Sequence, residues 1–166
     1  MTIEVRAVRP EEYEEAGRVT ALAYREFSAP GDPGWEEYLG RIADVGRRAD
    51  RALVLGAFGE GRVLGTVTVE LDWRIEGGHP REPLAPGEAH IRMLGVDPGA
   101  RGEGIGRKLM DAAVAEARRA GKRRLTLGTT ERMAAAQRLY ESMGFSRGPD
   151  QVFFDGFRLR TYELSL

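Results

Sequence analysis

Between Leu94 and Gly106 the chain runs from an apolar strand, through Asp97-Pro98-Gly99-Ala100-Arg101-Gly102-Glu103, into the start of a long alanine-rich helix. A strand, a glycine-rich turn and a helix N-terminus in that order make an anion cradle. Glycines let backbone approach a ligand closely, and the first amides of a helix lie unsatisfied at the positive end of its macrodipole. An anion of pyrophosphate type is expected at residues 101–107, with Gly102, Glu103, Gly104, Ile105, Gly106 and Arg107 supplying amides and Arg101 and Lys108 adding charge.

The spacing of the glycines selects among the known uses of such a turn. The pattern is Arg101-x-x-Gly104-x-Gly106. A dinucleotide site would place a third glycine where Leu109 stands, and an acidic residue at the end of the next strand, Arg124-Leu125-Thr126-Leu127, where none is found. No Gly-Lys-Ser/Thr follows, so a Walker loop is excluded. At this point the chain resembles the GNAT superfamily of acetyl-CoA-dependent N-acetyltransferases, whose signature is Gln/Arg-x-x-Gly-x-Gly/Ala after a Leu-x-Val-x-Pro strand. A second block, Ala136-Gln137-Arg138-Leu139-Tyr140-Glu141-Ser142-Met143-Gly144-Phe145, is similar to the ending that the family places one helix and one strand later. The specific resemblance covers about 88–145. It implies a mixed α/β (α+β) fold: a mostly antiparallel sheet of about seven strands, flanked by about four helices and splayed at its middle strands to admit coenzyme A.

The rest of the chain agrees with that outline. A length of 166 residues with 42% hydrophobic content suits one domain over residues 1–166. The absence of cysteine excludes disulfides, thiolate metal sites and a cysteine nucleophile, so a cytoplasmic protein without a metal is expected. A net charge of −1 with 31% charged residues argues against nucleic acid as the partner. Residues 1–6 alternate like a strand rather than a signal peptide, and no run spans a bilayer, so no membrane partner is expected. The pattern predicts strands at 3–8, 52–58, 63–71, 89–96, 124–127, 152–154 and 159–164, and helices at 10–27, 35–48, 102–120 and 131–143. Residues 72–87, rich in glycine and proline, read as one long functional loop.

Acetyl transfer to an amine requires a held thioester, a neutral nucleophile and a proton for the departing thiolate. The resemblance implies that backbone around Leu94, Gly95 and Val96 pairs with the pantetheine arm, that Gln137 and Tyr140 face the coenzyme, and that Tyr140 protonates the thiolate. Met133 stands where the family often has asparagine, which removes one side-chain contact. The burial of Met133, Ala136, Tyr140 and Met143 on one helical face is an alternative reason for Tyr140. His90, on the central strand, is the leading candidate base because imidazole titrates near neutrality, with Glu70, Asp72 or Glu88 acting through water as rivals. Acceptor contacts are expected from the segment between Tyr24 and Tyr38, with Asp32, Glu36 and Glu37 drawing in a cation, from the 72–87 loop, and from a turn at Asp155-Gly156. The acceptor is an amine of a small molecule, peptide or protein, and a homodimer through the last strands is the candidate assembly. The competing reading is a non-catalytic acyl-CoA sensor that keeps the cradle without transfer.

Overall fold

A computed structural model describes residues 1–27, 34–76, 79–152 and 158–166. The elements run β1 (Glu4–Ala7), α1 (Tyr13–Arg25), α2 (Trp35–Ala43), α3 (Val45–Ala49), β2 (Leu53–Gly59), β3 (Arg62–Glu70), β4 (Trp73–Glu76), β5 (His79–Pro83), β6 (Glu88–Val96), α4 (Ile105–Arg119), β7 (Arg124–Thr129), α5 (Ala134–Ser142), β8 (Ser146–Arg147), β9 (Gln151–Val152) and β10 (Arg158–Ser165). The main sheet has the order β1-β2-β3-β6-β7-β10-β8, with β9 paired to β10. Only β6 and β7 are parallel, because α4 carries the chain back over the sheet between them. This is the expected mixed, mostly antiparallel α/β architecture.

Helix α4 buries Ile105, Leu109, Met110, Ala113, Val114 and Ala117 at helical spacing against β2, β3 and β6. Leu109 and Met110 are fully buried, each stabilising the fold by about 2 kcal/mol. The same layer holds Val67, Val69, Ala89, Ile91, Leu125 and Leu127. Helix α1 packs on β3 and β6 from the opposite side. There Thr20 and Thr66 meet through their hydroxyls at 2.5 Å, polar contact replacing aliphatic core.

The sheet opens at its centre. Pairing between β6 and β7 runs from Glu88↔Arg124 to Ile91↔Leu127 and stops, although β6 continues to Val96 and β7 to Thr129. Next to the point of separation, Thr66 faces Gly95 and Thr68 faces Arg92, which leaves Met93 and Leu94 opposite Val67. Met93 takes φ +54°, a conformation rare for a side chain without a local polar group. Two residues opposing one is a β-bulge, which bends β6 and turns its distal half away from β7.

Three expectations are corrected. Residues 35–48 are two helices, since Asp44 leaves helical geometry and its carboxylate accepts from the Arg47 amide, while the Arg48 guanidinium caps the last carbonyls of α2, Ile42 at 2.7 Å and Arg41 at 3.1 Å. The loop at 72–87 contains the β4–β5 ribbon, which Pro80 and Pro83 hide from pattern reading because a two-stranded ribbon tolerates proline at its edges. The tail carries β8 and β9 before β10, and the turn at Asp155-Gly156 lies outside the described residues, as does Asp32. Among the described residues no helix is long and apolar enough to cross a membrane.

Candidate active site

Residues 102–104 precede α4 rather than belonging to it. Gly102 and Gly104 take φ +88° and +73°, and a Cβ built on either meets nothing within 4 Å, so the turn stands open on its outer side. The first described backbone bond of the helix runs from the Lys108 amide to the Gly104 carbonyl at 3.1 Å. The amides of Ile105, Gly106 and Arg107 lie ahead of it, and Gly104, the N-cap, has no side chain to receive them. That geometry fits a diphosphate. A Cβ on Gly106 would come 3.4 Å from Leu139 and 3.8 Å from Val96, so the turn sits directly against α5 and the distal half of β6.

From the turn, the separated edge of β6 leads inward. Beyond Ile91 this edge has no strand partner among the described residues, so its backbone groups around Leu94 and Val96 can pair with an extended amide-bearing arm. Gly95 faces α1, where a Cβ would come 3.0 Å from Ala23 and 3.6 Å from Tyr24. Tyr140 closes the other wall, with its ring centroid 5.8 Å from those of both Phe145 and Tyr162. Burial raises its phenol well above the usual range, with Tyr162 adding to the effect. Among the described residues its hydroxyl makes no hydrogen bond, whereas Tyr162 donates to Glu141 at 3.0 Å.

Other expected residues are engaged elsewhere. Arg101 pairs with Glu26 at the end of α1 and holds that carboxylate below its usual range. Glu103 and Lys108 are exposed, and Arg107 pairs with Asp111 at 3.4 Å. Gln137 is buried with both ends of its amide in use, donating to the Thr130 carbonyl at 2.8 Å and accepting from Arg160 at 2.7 Å. Glu36 and Glu37 pair with Arg25 and Arg41 on the surface.

The candidate bases lie on the α1 side of the sheet, one residue pair from where β6 and β7 part. His90 and Glu70 are cross-strand neighbours. The hydroxyl of Thr126 donates to Glu88 at 2.6 Å, so at 2.7 Å it accepts from His90 Nδ1, which leaves Nε2 as the lone pair. Burial, then Arg74 and Arg92, push the imidazole down to about 3, so it stays neutral at physiological pH. Glu70 is fully buried and burial lifts its carboxyl to about 7 against the pull of Arg92 at 3.9 Å. Its Oε2 accepts from the Ile75 amide at 2.8 Å, and its Oε1 has no partner. Glu88 is held by Arg74, Arg124 and Thr126, and Asp72 is exposed.

Two residues absent from the sequence reading share this face. Arg48 on α3 is 5% exposed, and Arg92 lies beside Glu70. Nothing in the sequence singles them out, since arginine is spread along the chain. A separate cleft of about 400 Å³ at the β1 edge is lined by Glu4, Arg6, Glu12, Glu15 and Arg62 among others. Arg6 is bound there by both oxygens of Glu12, and Glu15 accepts the Val63 amide, so these charges are already spent within the fold.

Comparison with known proteins agrees with the geometry. The model of the acetyltransferase (GNAT) family matches residues 17–145. A mycothiol acetyltransferase of Streptosporangium roseum is 39% identical over 79 residues, 48% of this chain and 22% of that protein. One of Cellulomonas flavigena is 31% identical over 162 residues, 92% of this chain and 43% of that protein. The chain thus spans less than half the length of these relatives. A GNAT family acetyltransferase of Brucella melitensis, solved in complex with acetyl-CoA, superposes with a TM-score of 0.64 and 25% identity over 99% of this chain and 88% of its own. With the family model spanning the glycine turn, the opened sheet and the Tyr140 helix, the chain belongs to the GNAT family of acetyltransferases.

Proposed function

We propose that the chain, as one domain working in the cytoplasm, is an acetyl-CoA-dependent N-acetyltransferase that moves an acetyl group directly to an amine held in the same complex. The observation that carries this reading is the open glycine turn set against the unpaired edge of β6, with Tyr24 beside Gly95 on that strand and within electrostatic reach of the buried Tyr140. Acetyl-CoA supplies the activated thioester. The amides of residues 102–107 bind its diphosphate, and the exposed Lys108 adds long-range attraction. Backbone at Leu94 and Val96 orients the arm, and the bulge at Met93 aims its end at the α1 face.

Attack by the neutral amine forms the N–C bond, and loss of the C–S bond releases thiolate. Glu70 receives the amine proton, because a carboxyl near 7 is half ionised at working pH and its Oε1 is unoccupied. His90 remains the rival base through Nε2, although an imidazole near 3 is a weak one. Tyr140 gives its proton to the thiolate, and its raised phenol keeps that proton in place until the thiolate appears. Gln137 and Arg101 position α5 and the turn rather than touching the coenzyme.

Calorimetric titration of acetyl-CoA, followed by thiol release on an amine panel, tests the reading. Micromolar binding with amine-dependent release supports it. Binding with no release on any amine supports a sensor, and absence of binding overturns the cradle.

A further inference from the structure

The face beside Glu70 carries more positive charge than the fold neutralises. Thr68 on β3 lies opposite Arg92 on β6, and Arg48 reaches the same threonine from α3, donating from Nε to its hydroxyl at 3.3 Å. The two arginines are near enough for Arg92 to act electrostatically on Arg48. Arg48 is nine-tenths buried or more, its Nη1 is spent on carbonyls at the end of α2, and its Nη2 has no partner. Among the described residues Arg92 pairs with Glu70 alone, at 3.9 Å. Trp35 carries another buried donor, Nε1, without a partner among the described residues, and its ring meets that of Tyr38 at 5.3 Å in a tilted contact, Tyr38 lying within the field of both arginines. On the same face Glu70 Oε1 is an acceptor without a partner among the described residues.

Buried charges are normally paired, and donors normally satisfied, so this constellation suits an anionic ligand. We infer that Arg48 and Arg92 form a receptor for a carboxylate on the amine substrate, so that the acceptor is an amino acid or an amine of similar zwitterionic form. The inference rests on the transferase reading above and deepens it. An α-amino acid places its nitrogen within two bonds of its carboxylate carbon. With the carboxylate on the guanidinium groups, the amine falls beside Glu70, the group assigned to take its proton. Guanidinium forks suit the planar, two-oxygen geometry of a carboxylate.

The test compares proteinogenic amino acids with their primary carboxamides, using thiol release at saturating acetyl-CoA and calorimetric titration of each into the coenzyme A-loaded protein. The expected result is kcat/KM higher for an acid than for its amide by roughly 10- to 100-fold, the range of a lost charge-assisted pair. Because Arg48 also holds α2, the decisive variant is Arg92→Gln. It raises KM for the acid at unchanged acetyl-CoA affinity and brings the acid-over-amide ratio of kcat/KM down toward one, a ratio from which any change in Glu70 ionisation cancels because it affects both substrates alike. Equal use of acid and amide by the unaltered protein, or an equal loss for both in Arg92→Gln, overturns the inference while leaving the transferase reading intact. If no amine is acetylated, the transferase reading fails separately. The receptor is then judged by calorimetry alone: acid binding that Arg92→Gln abolishes supports it, and no acid binding overturns it.

Discussion

The glycine turn ahead of α4 and the polar face between β3 and β6 are assembled in different ways. The turn is seven consecutive residues, 101–107, and the atoms proposed to hold the coenzyme are main-chain amides whose positions follow from two left-handed glycines and a helix start. The polar face draws Tyr24, Tyr38, Arg48, Glu70, His90 and Arg92 from three helices and two strands, and its working atoms are side chains whose state depends on burial. A backbone site of the first kind tolerates change in most side chains but not in backbone conformation. A side-chain site of the second kind can be retuned by single substitutions, which suits the part of an enzyme that selects among acceptors.

That contrast is open to experiment. The largest effect is expected at Gly104→Glu, which puts a side chain at φ +73° and a negative charge where the diphosphate binds, and weakens acetyl-CoA by at least about 100-fold. Unchanged affinity in calorimetry by a folded variant would sink the backbone account. Next, Tyr140→Phe lowers kcat by roughly 10² to 10⁴, with KM for acetyl-CoA nearly constant. Its thermal midpoint holds or rises, because the deleted hydroxyl has no hydrogen-bond partner among the described residues. A kcat within twofold of the unaltered enzyme removes Tyr140 as the acid.

The two candidate bases are separated by pH. With Glu70 as base, kcat/KM rises with a midpoint near pH 7, Glu70→Gln abolishes that limb, and His90→Ala retains it. The reverse pattern assigns the proton to His90. Stability carries an independent signature. Burial raises the Glu70 carboxyl from 4.5 to about 7, so between those values the folded chain holds a proton that the unfolded chain has released. The Glu70 contribution to stability therefore falls by about 3 kcal/mol from pH 4.5 to 7, and it is read as the pH-dependent difference between the unaltered protein and Glu70→Gln in denaturant titrations. His90 acts with the opposite sign: its folded value of about 3 lies below 6.5, so its contribution is complete above pH 6.5 and is lost as pH falls toward 3. The smallest effect is expected at Arg101→Ala. The pair with Glu26 is exposed on both sides, so stability changes by less than about 1 kcal/mol and acetyl-CoA affinity by a few-fold. A loss comparable to that of Gly104→Glu would mean that the arginine itself grips the coenzyme.

How legible each region is follows from the same difference. Helix α4 and strands β2, β3 and β6 are readable because their apolar periodicity is strong and glycines mark their ends. The break at Asp44 is not readable, since it depends on a guanidinium folding back onto carbonyls of the preceding turn, and arginine alone gives no such signal. The β4–β5 ribbon is hidden by its prolines. His90 attracts notice by its residue type, yet its neutral state comes from burial beside two arginines that sequence spacing does not place near it. Gln137 lies within a family motif, but its amide bridges Thr130 and Arg160, contacts that exist only once α5 lies against β10.

The sequence by itself determined the glycine turn, the strand–helix order around it and the family, because each is written in contiguous residues whose local conformational preferences agree. Only the tertiary structure decided that β6 parts from β7 after Ile91, that Glu70 is a carboxyl near neutrality, and that Arg48 comes within electrostatic reach of Arg92. Those properties belong to strand register and to burial. Both are set by packing between segments far apart in the chain, where desolvation outweighs the intrinsic chemistry of any one side chain.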